Sequence, residues 1–241
     1  MNLAEMINQR KSTRSYTGVP VDAGTIQKIE DFIQSAKPLF SGLKVRAEII
    51  GSNKVRCILP WKTPQVVAMF AEKDIDSLVN VGFLYQQLDL YLQSIGLGSC
   101  WLGMGRLDPK AVDSKDELTF VMMLAFGNPK GEYRRNNLAE FKRKSLDEIS
   151  DKADTRLEPA RLAPSSINSQ PWYFVHEGEN LHVYCACSGI LKKKSPSSMN
   201  LIDIGIALAH LYVSNSESFR FFKTDEPKQI KNYAYIGSVT L

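Results

Sequence analysis

The chain has 241 residues, 44% hydrophobic and 23% charged, with a formal net charge of +4. This is a globular composition with ample apolar material for a core, so disordered, collagenous and coiled-coil classes are excluded. The charge is too small to argue for nucleic acid, and no run nears the roughly 20 apolar residues of a membrane span.

The N-terminus, Met1-Asn2-Leu3-Ala4-Glu5, has no basic stretch leading into an apolar one. No secretion signal is therefore expected, and the expected location is the cytoplasm. Arg10-Lys11-Ser12-Thr13-Arg14-Ser15-Tyr16 puts three cations and three serine or threonine hydroxyls among seven residues. Guanidinium forks and hydroxyls suit a phosphate, although such a cluster also reads as a solvated face. A helical run follows up to Ala36 and Pro38. Strands are predicted over 45–50 and 55–59, as a hairpin around Gly51-Ser52-Asn53.

A long helix is predicted over 76–94, because Val81, Leu84, Tyr85, Leu88, Tyr91, Leu92 and Ile95 recur at the spacing of one buried face. Gly82 within it costs about 1 kcal/mol relative to alanine, which a close helix–helix approach would explain. Next, Gly96-Leu97-Gly98-Ser99-Cys100-Trp101-Leu102-Gly103 is either a helix C-cap and turn or a place where backbone N–H groups approach a ligand. A strand over 120–125 leads to the Gly-, Pro- and Asn-rich loop 127–137, which sets a boundary at 137. A charged helical stretch is expected from Leu138.

Arg161-Leu162-Ala163-Pro164-Ser165-Ser166-Ile167-Asn168-Ser169-Gln170-Pro171-Trp172 holds two prolines around a row of donors and acceptors. Such a loop either caps the next strand or edges a planar polar heterocycle. Strands over 172–175 and 181–187 flank Gly178-Glu179-Asn180. A helix carrying Leu201, Ile204, Gly205, Leu208 and Leu211 and a late strand over 233–236 close the chain. Cys57, Cys100, Cys185 and Cys187, with three histidines, make neither a disulfide framework nor a metal-ligand pattern.

Taken together the elements repeat. Arg10-Lys11-Ser12 recurs as Arg143-Lys144-Ser145, Ala36 before Pro38 as Ala163 before Pro164, and Gly51-Ser52-Asn53 as Gly178-Glu179-Asn180. Leu78-Val79-Asn80-Val81-Gly82 recurs as Leu201-Ile202-Asp203-Ile204-Gly205, and the late strand of the first half as that of the second. The order is kept and the offset never rises along the chain, as expected of two diverged copies, 1–137 and 138–241.

The three polar stretches together resemble the FMN-dependent nitroreductases, which share an arginine-rich start, a Pro-Ser-Ser-x-Asn-x-Gln-Pro-Trp loop and a Gly-x-Gly-Ser-Cys-Trp segment after a long helix. A Gly-x-Pro loop with trailing basic residues is the fourth shared feature, here Gly127-Asn128-Pro129 with Arg134 and Arg135. The order departs from the family. The serine loop, which in the family follows the first arginines closely, occurs here only in the second copy, while the arginines and glycine segment survive only in the first.

The resemblance implies an α+β nitroreductase-like fold with mostly antiparallel or mixed sheets flanked by helices. Family members are homodimers with FMN at the subunit interface. A fused chain with complementary losses would thus be a monomer acting as a pseudo-dimer with one site. Carried over by position, Arg10, Lys11, Ser12 and Arg14, with Arg134 and Arg135, would bind the FMN phosphate or ring edge. Pro164, Ser165, Ser166 and Asn168 would contact the isoalloxazine and ribityl chain, and Leu102, Gly103 and Met104 would offer backbone N–H groups to the ring. The implied activity passes hydride from NAD(P)H through flavin to an electron-poor small molecule, a nitroaromatic or quinone, with no catalytic side chain identified. The alternatives are an FMN-binding carrier or sensor without turnover, and a globular module that binds no flavin.

Overall fold

A computed structural model describes residues 2–56, 63–108, 117–187 and 195–241 of the chain. Cys57 and positions 57–59 of the second predicted strand lie outside the described residues. In order, the elements are α1 (Leu3–Ile7), α2 (Ala23–Ser35), β1 (Val45–Gly51), β2 (Val55–Arg56), β3 (Gln65–Ala71) and α3 (Ile75–Ser94). Then come β4 (Gly98–Trp101), β5 (Arg106–Leu107), β6 (Thr119–Gly127), α4 (Leu146–Ile149) and α5 (Glu158–Arg161). The last are β7 (Trp172–Glu177), β8 (Asn180–Ala186), α6 (Ser198–Ser214), β9 (Arg220–Phe222) and β10 (Tyr233–Thr240).

Local chemistry fixes the long helices. Asp22, Asp74 and Ser197 cap α2, α3 and α6 by accepting the backbone N–H of Thr25, Ser77 and Asn200. Helix α2 stops at Ala36 because Lys37 precedes a proline, which disfavours the helical conformation. Helix α3 ends at Gly96, whose φ of +88° turns the chain back into β4.

Two four-stranded sheets form, in the orders β1-β3-β6-β4 and β7-β8-β10-β9, and the paired strands in both are antiparallel. The two orders are the same pattern, and in each half a long helix, α3 or α6, joins the second strand to the third. The fold is α+β, as expected. Strand β3 is buried on both sides: Val67, Met69 and Ala71 join the main core, while Val66, Ala68 and Phe70 join a second cluster with Leu102, Met123 and Ala125. The main core is built around α3 and α6, which cross at two glycines. A Cβ on Gly82 would lie 2.0 Å from the Ile202 carbonyl oxygen, and one on Gly205 would lie 1.9 Å from that of Val79.

Three expectations are corrected. The β1–β2 hairpin does not form: a 3-10 turn at Ser52–Lys54 carries the chain off the sheet, the apolar β3 takes the edge of β1, and β2 pairs with β5. Helix α3 is not buried on one face; from Ser77 to Gln93 only Leu84 and Tyr91 escape full burial, because α6 and the first-half sheet enclose it. Its polar residues are paid for by internal bonds, with Gln87 Nε2 donating to the carbonyls of Lys37 (2.9 Å) and Phe83 (3.1 Å). The charged stretch from Leu138 is a single 3-10 turn followed by the short α4, not a continuous helix. Among the described residues no helix is long and apolar enough to cross a membrane, and no His, Cys, Asp or Glu cluster could hold a metal ion.

Candidate functional site

The segment 10–16 runs beside the edge of the first sheet. Thr13 N–H donates to the Ser99 carbonyl at 2.8 Å, and bridges join Ser12 to Ser99, Arg10 to Arg134 and Tyr16 to Pro129. This lays the arginine stretch between β4 and the 128–134 loop, so residues far apart in sequence share one wall. The opposite wall is the serine loop, packed on α6, where the Ser166 N–H donates to both carboxylate oxygens of Asp203 at 3.1 Å.

Between these walls lies a cavity of about 340 Å³. Ser12, Arg14, Cys100, Trp101, Gly103 and Met104 line it from the first half. Pro164, Ser165, Ser166, Ile167 and Asp203 line it from the second, with Met122, Met199, Ile202 and Ile206 adding apolar surface. That volume and lining suit a small planar ligand held by a few polar groups. Exposed apolar Ile167 and Met104 stand at the lip. The serine loop is strained: Ile167, Asn168 and Gln170 all have positive φ, and for β-branched Ile167 at +47° this is unusual. Strain of this kind persists where surrounding structure enforces it, often at ligand sites.

Seven of the thirteen sequence-derived positions line the cavity: Ser12, Arg14, Gly103, Met104, Pro164, Ser165 and Ser166. The others do not. Arg10 is 1% exposed and its Nε donates to Asp89 Oδ2 at 2.9 Å, so its side chain is committed inside the protein. Lys11 is half-buried, and its carbonyl accepts from Gln93 Nε2 at 3.1 Å. The Leu102 N–H, expected to face a ligand, donates instead to the Met123 carbonyl at 2.9 Å. Arg134 Nη2 donates to the Gln93 carbonyl at 2.6 Å. Arg135 bonds the Arg10 carbonyl and stacks on Phe141. Asn168 Nδ2 donates to the Lys142 carbonyl at 2.7 Å, and its Oδ1 accepts from Arg143 Nη1 at 2.5 Å.

Behind the first wall a buried polar network holds the geometry. Asp89 also accepts from Ser99 Oγ (2.5 Å) and Gln86 Nε2 (2.9 Å), and Gln86 Oε1 accepts from the cavity residue Trp101 at 3.0 Å. His210, fully buried, donates through Nδ1 to the Pro159 carbonyl at 2.9 Å and meets Gln86 Nε2 at 3.1 Å. Burial pushes its pKa down to about 3, so it is a neutral link in the network.

Two residues not singled out as site candidates from the sequence stand here: Asp203 lines the cavity, and Arg143 bonds Asn168 of the serine loop. Arg143 has its Nε buried without a partner among the described residues. Burial and the nearby Arg10, Arg135 and Arg161 guanidiniums bring its pKa down to about 10. Arg135 is lowered likewise, to about 10, by burial and by Arg10 and Arg14. A crowd of guanidiniums that depress one another is completed by an anion. Asp203 is buried and pushed up to about 7 by its burial. The available signals were the recurrence of Arg143-Lys144-Ser145 and a carboxylate amid the apolar run Leu201-Ile202-Asp203-Ile204-Gly205. Cys100 lines the cavity, but burial pushes its thiol up, which argues against a nucleophilic role.

Residues 2–215 match a family model described as "Putative TM nitroreductase". The crystal structure of a "putative nitroreductase" from Thermotoga maritima MSB8 is 22% identical, with a TM-score of 0.66 over 99% of this chain and 92% of that one. A nitroreductase family protein from Clostridium difficile 630 is 19% identical, with a TM-score of 0.50 over 62% of this chain and 96% of its own. No curated protein matches the chain.

Proposed function

The chain belongs to this nitroreductase family, whose membership supports an oxidoreductase, and on that premise we propose that it binds one FMN per chain and uses NAD(P)H to reduce an electron-poor small molecule, a nitroaromatic or quinone. The observation that carries the proposal is the convergence of Ser12, Arg14 and Gly103 with Pro164, Ser165 and Ser166 around one cavity. The residues present fit a phosphorylated planar group: apolar walls for a ring, loop hydroxyls for its polar edge, and nearby an arginine crowd in which Arg134 Nε and Arg143 Nε are buried without partners among the described residues. On this reading Ser12 and Arg14 hold the phosphate side from the cavity wall, backed by the positive charge of Arg135 and Arg143, while Pro164, Ser165, Ser166 and the Gly103 main chain border the ring. The flavin, when bound, supplies the redox chemistry. The protein's share is orientation, exclusion of water by Met122, Met199, Ile202 and Ile206, and a positive field that favours a reduced, anionic ring.

The reading includes a duplication in which the chain is its own pseudo-dimer. Its support is the shared strand order and a matching contact: Asn80 Oδ1 accepts from Leu39 N–H (2.9 Å) and Phe40 N–H (3.3 Å), as Asp203 accepts from Ser166. At the counterpart of the serine loop, Phe40 packs edge-on against Phe221 with Lys223 over its ring. The second site is therefore filled by side chains. Purified protein desalted after FMN addition is expected to retain one flavin per chain by absorbance. Two per chain would refute the single composite site, and none would refute FMN binding.

Replacing Arg143 tests the phosphate assignment. A hydrogen bond to a charged group contributes roughly 1.5–3 kcal/mol. Arg143→Ala is therefore expected to weaken FMN binding by about tenfold to a hundredfold. Titration by flavin fluorescence measures this, and unchanged affinity would move the phosphate elsewhere.

A further inference from the structure

Among the described residues lining the cavity, Asp203 is the sole carboxylate, and its side chain is buried. Its structural task is to accept the N–H of the serine loop. The counterpart Asn80 performs that task for its own loop with a neutral amide. A carboxyl is thus not required to hold the loop, yet the half whose cavity is open carries one. Among the described residues, few charged and titratable groups surround Asp203. Arg14 and Cys100 line the same cavity, and Cys185 of β8 couples to it electrostatically. Burial pushes both thiols up, leaving neither as an acid of useful strength at neutral pH. The walls beside Asp203, with Met199, Ile202 and Ile206, are apolar and disfavour water.

We propose that Asp203 is the catalytic acid of the cavity, donating its carboxyl proton to the oxygen of a bound quinone-type acceptor as that acceptor is reduced. This rests on the oxidoreductase reading above. Reduction of a quinone to a hydroquinone takes two electrons and two protons. The nicotinamide co-substrate gives up a hydride, which supplies both electrons and one proton. The Asp203 O–H supplies the second proton, leaving a carboxylate that solvent reprotonates once the product departs. Burial holds the Asp203 pKa up at about 7, so the acid form is well populated near neutral pH and is lost as pH rises above that value.

The test uses flavin-loaded protein and the variant Asp203→Asn, which keeps an acceptor for the Ser166 N–H. Two acceptors are compared: a quinone, which must take up protons, and ferricyanide, which takes electrons alone. General-acid catalysis contributes at least about a hundredfold. The quinone rate is expected to fall by about that factor in Asp203→Asn and to lose its decline above neutral pH, while ferricyanide reduction falls far less and the variant still takes up flavin. Infrared spectra of the purified protein should show a protonated-carboxyl band that titrates near neutral pH and is missing from the variant, whether or not flavin is bound. Equal losses with both acceptors, lost flavin affinity, or an unchanged quinone profile in loaded protein would overturn the proposal alone. Absence of flavin would overturn it together with the reading beneath it. Should Asp203→Asn not fold, the wild-type profiles decide: quinone and ferricyanide rates with the same pH dependence overturn the assignment.

Discussion

Gly205→Ala is expected to destabilise the protein by about 3 kcal/mol, the upper end of the usual cost of overpacking. Helix propensity alone predicts the opposite sign, since alanine gains about 1 kcal/mol over glycine in a helix interior. Packing overrides that gain because the added Cβ would sit 1.9 Å from the Val79 carbonyl oxygen, 2.7 Å from Phe83 N and 2.9 Å from Gly82 Cα. All three are backbone atoms of α3, so no rotamer change relieves the clash and the helices must separate. Gly82→Ala meets the same crossing from the other side, 2.0 Å from the Ile202 carbonyl oxygen. The two substitutions together should therefore cost less than their sum. The effect also reaches the site. Helix α3 leads into Trp101 and Gly103, while α6 carries Ile202, Asp203 and Ile206, so parting the helices widens the cavity between them. Urea unfolding of the two single variants and the double variant measures the cost. A Gly205→Ala protein more stable than the parent would show that the helices do not cross this closely.

The second large effect is expected at Asp89. Asp89→Leu strands the Arg10 guanidinium, 1% exposed, without its carboxylate, and removes the acceptor for Ser99 Oγ and Gln86 Nε2. Breaking a buried pair from one side costs about 3–5 kcal/mol because the remaining charge is left uncompensated. Replacing both partners, as Arg10→Met with Asp89→Leu, should recover much of that loss, since an apolar pair of similar volume carries no orphaned charge. A double-mutant cycle in urea provides the measurement, and additive losses would show that the two groups are not coupled. Because Gln86 also accepts from Trp101, the single variant should loosen the cavity wall as well as the fold.

The distance between what was legible in the sequence and what was not follows from particular residues. Helix α3 was readable to within one residue at its start, because the apolar spacing is a local signal. Its complete burial was not, because apolar periodicity does not report how many partners surround a helix. Polar Gln86, Gln87, Asp89 and Gln93 lie off the apolar stripe and are buried because each finds a partner from a distant segment. The β1–β2 hairpin was inferred from a turn signal that exists, yet strand pairing is decided by which edge offers the larger apolar face, and β3 offered it.

The site divides in the same way. By itself the sequence determined the chemistry available: an arginine and hydroxyl stretch, a glycine-rich segment and a serine loop, each recognisable from side-chain type and spacing along the chain. It also carried the ordered matches from which a repeat is inferred, and these depend on no contact at all. Only the tertiary structure decided which of those groups face one another. It turned Arg10 inward to Asp89, spent the Leu102 N–H on Met123, left the Arg143 Nε buried and unpaired, and set Asp203 in the cavity beside Ser166. The physical reason is that a hydrogen bond, a desolvation cost or a charge–charge coupling depends on distances through space. Those distances are set here by the crossing of α3 and α6 at Gly82 and Gly205, two positions 123 residues apart in the chain.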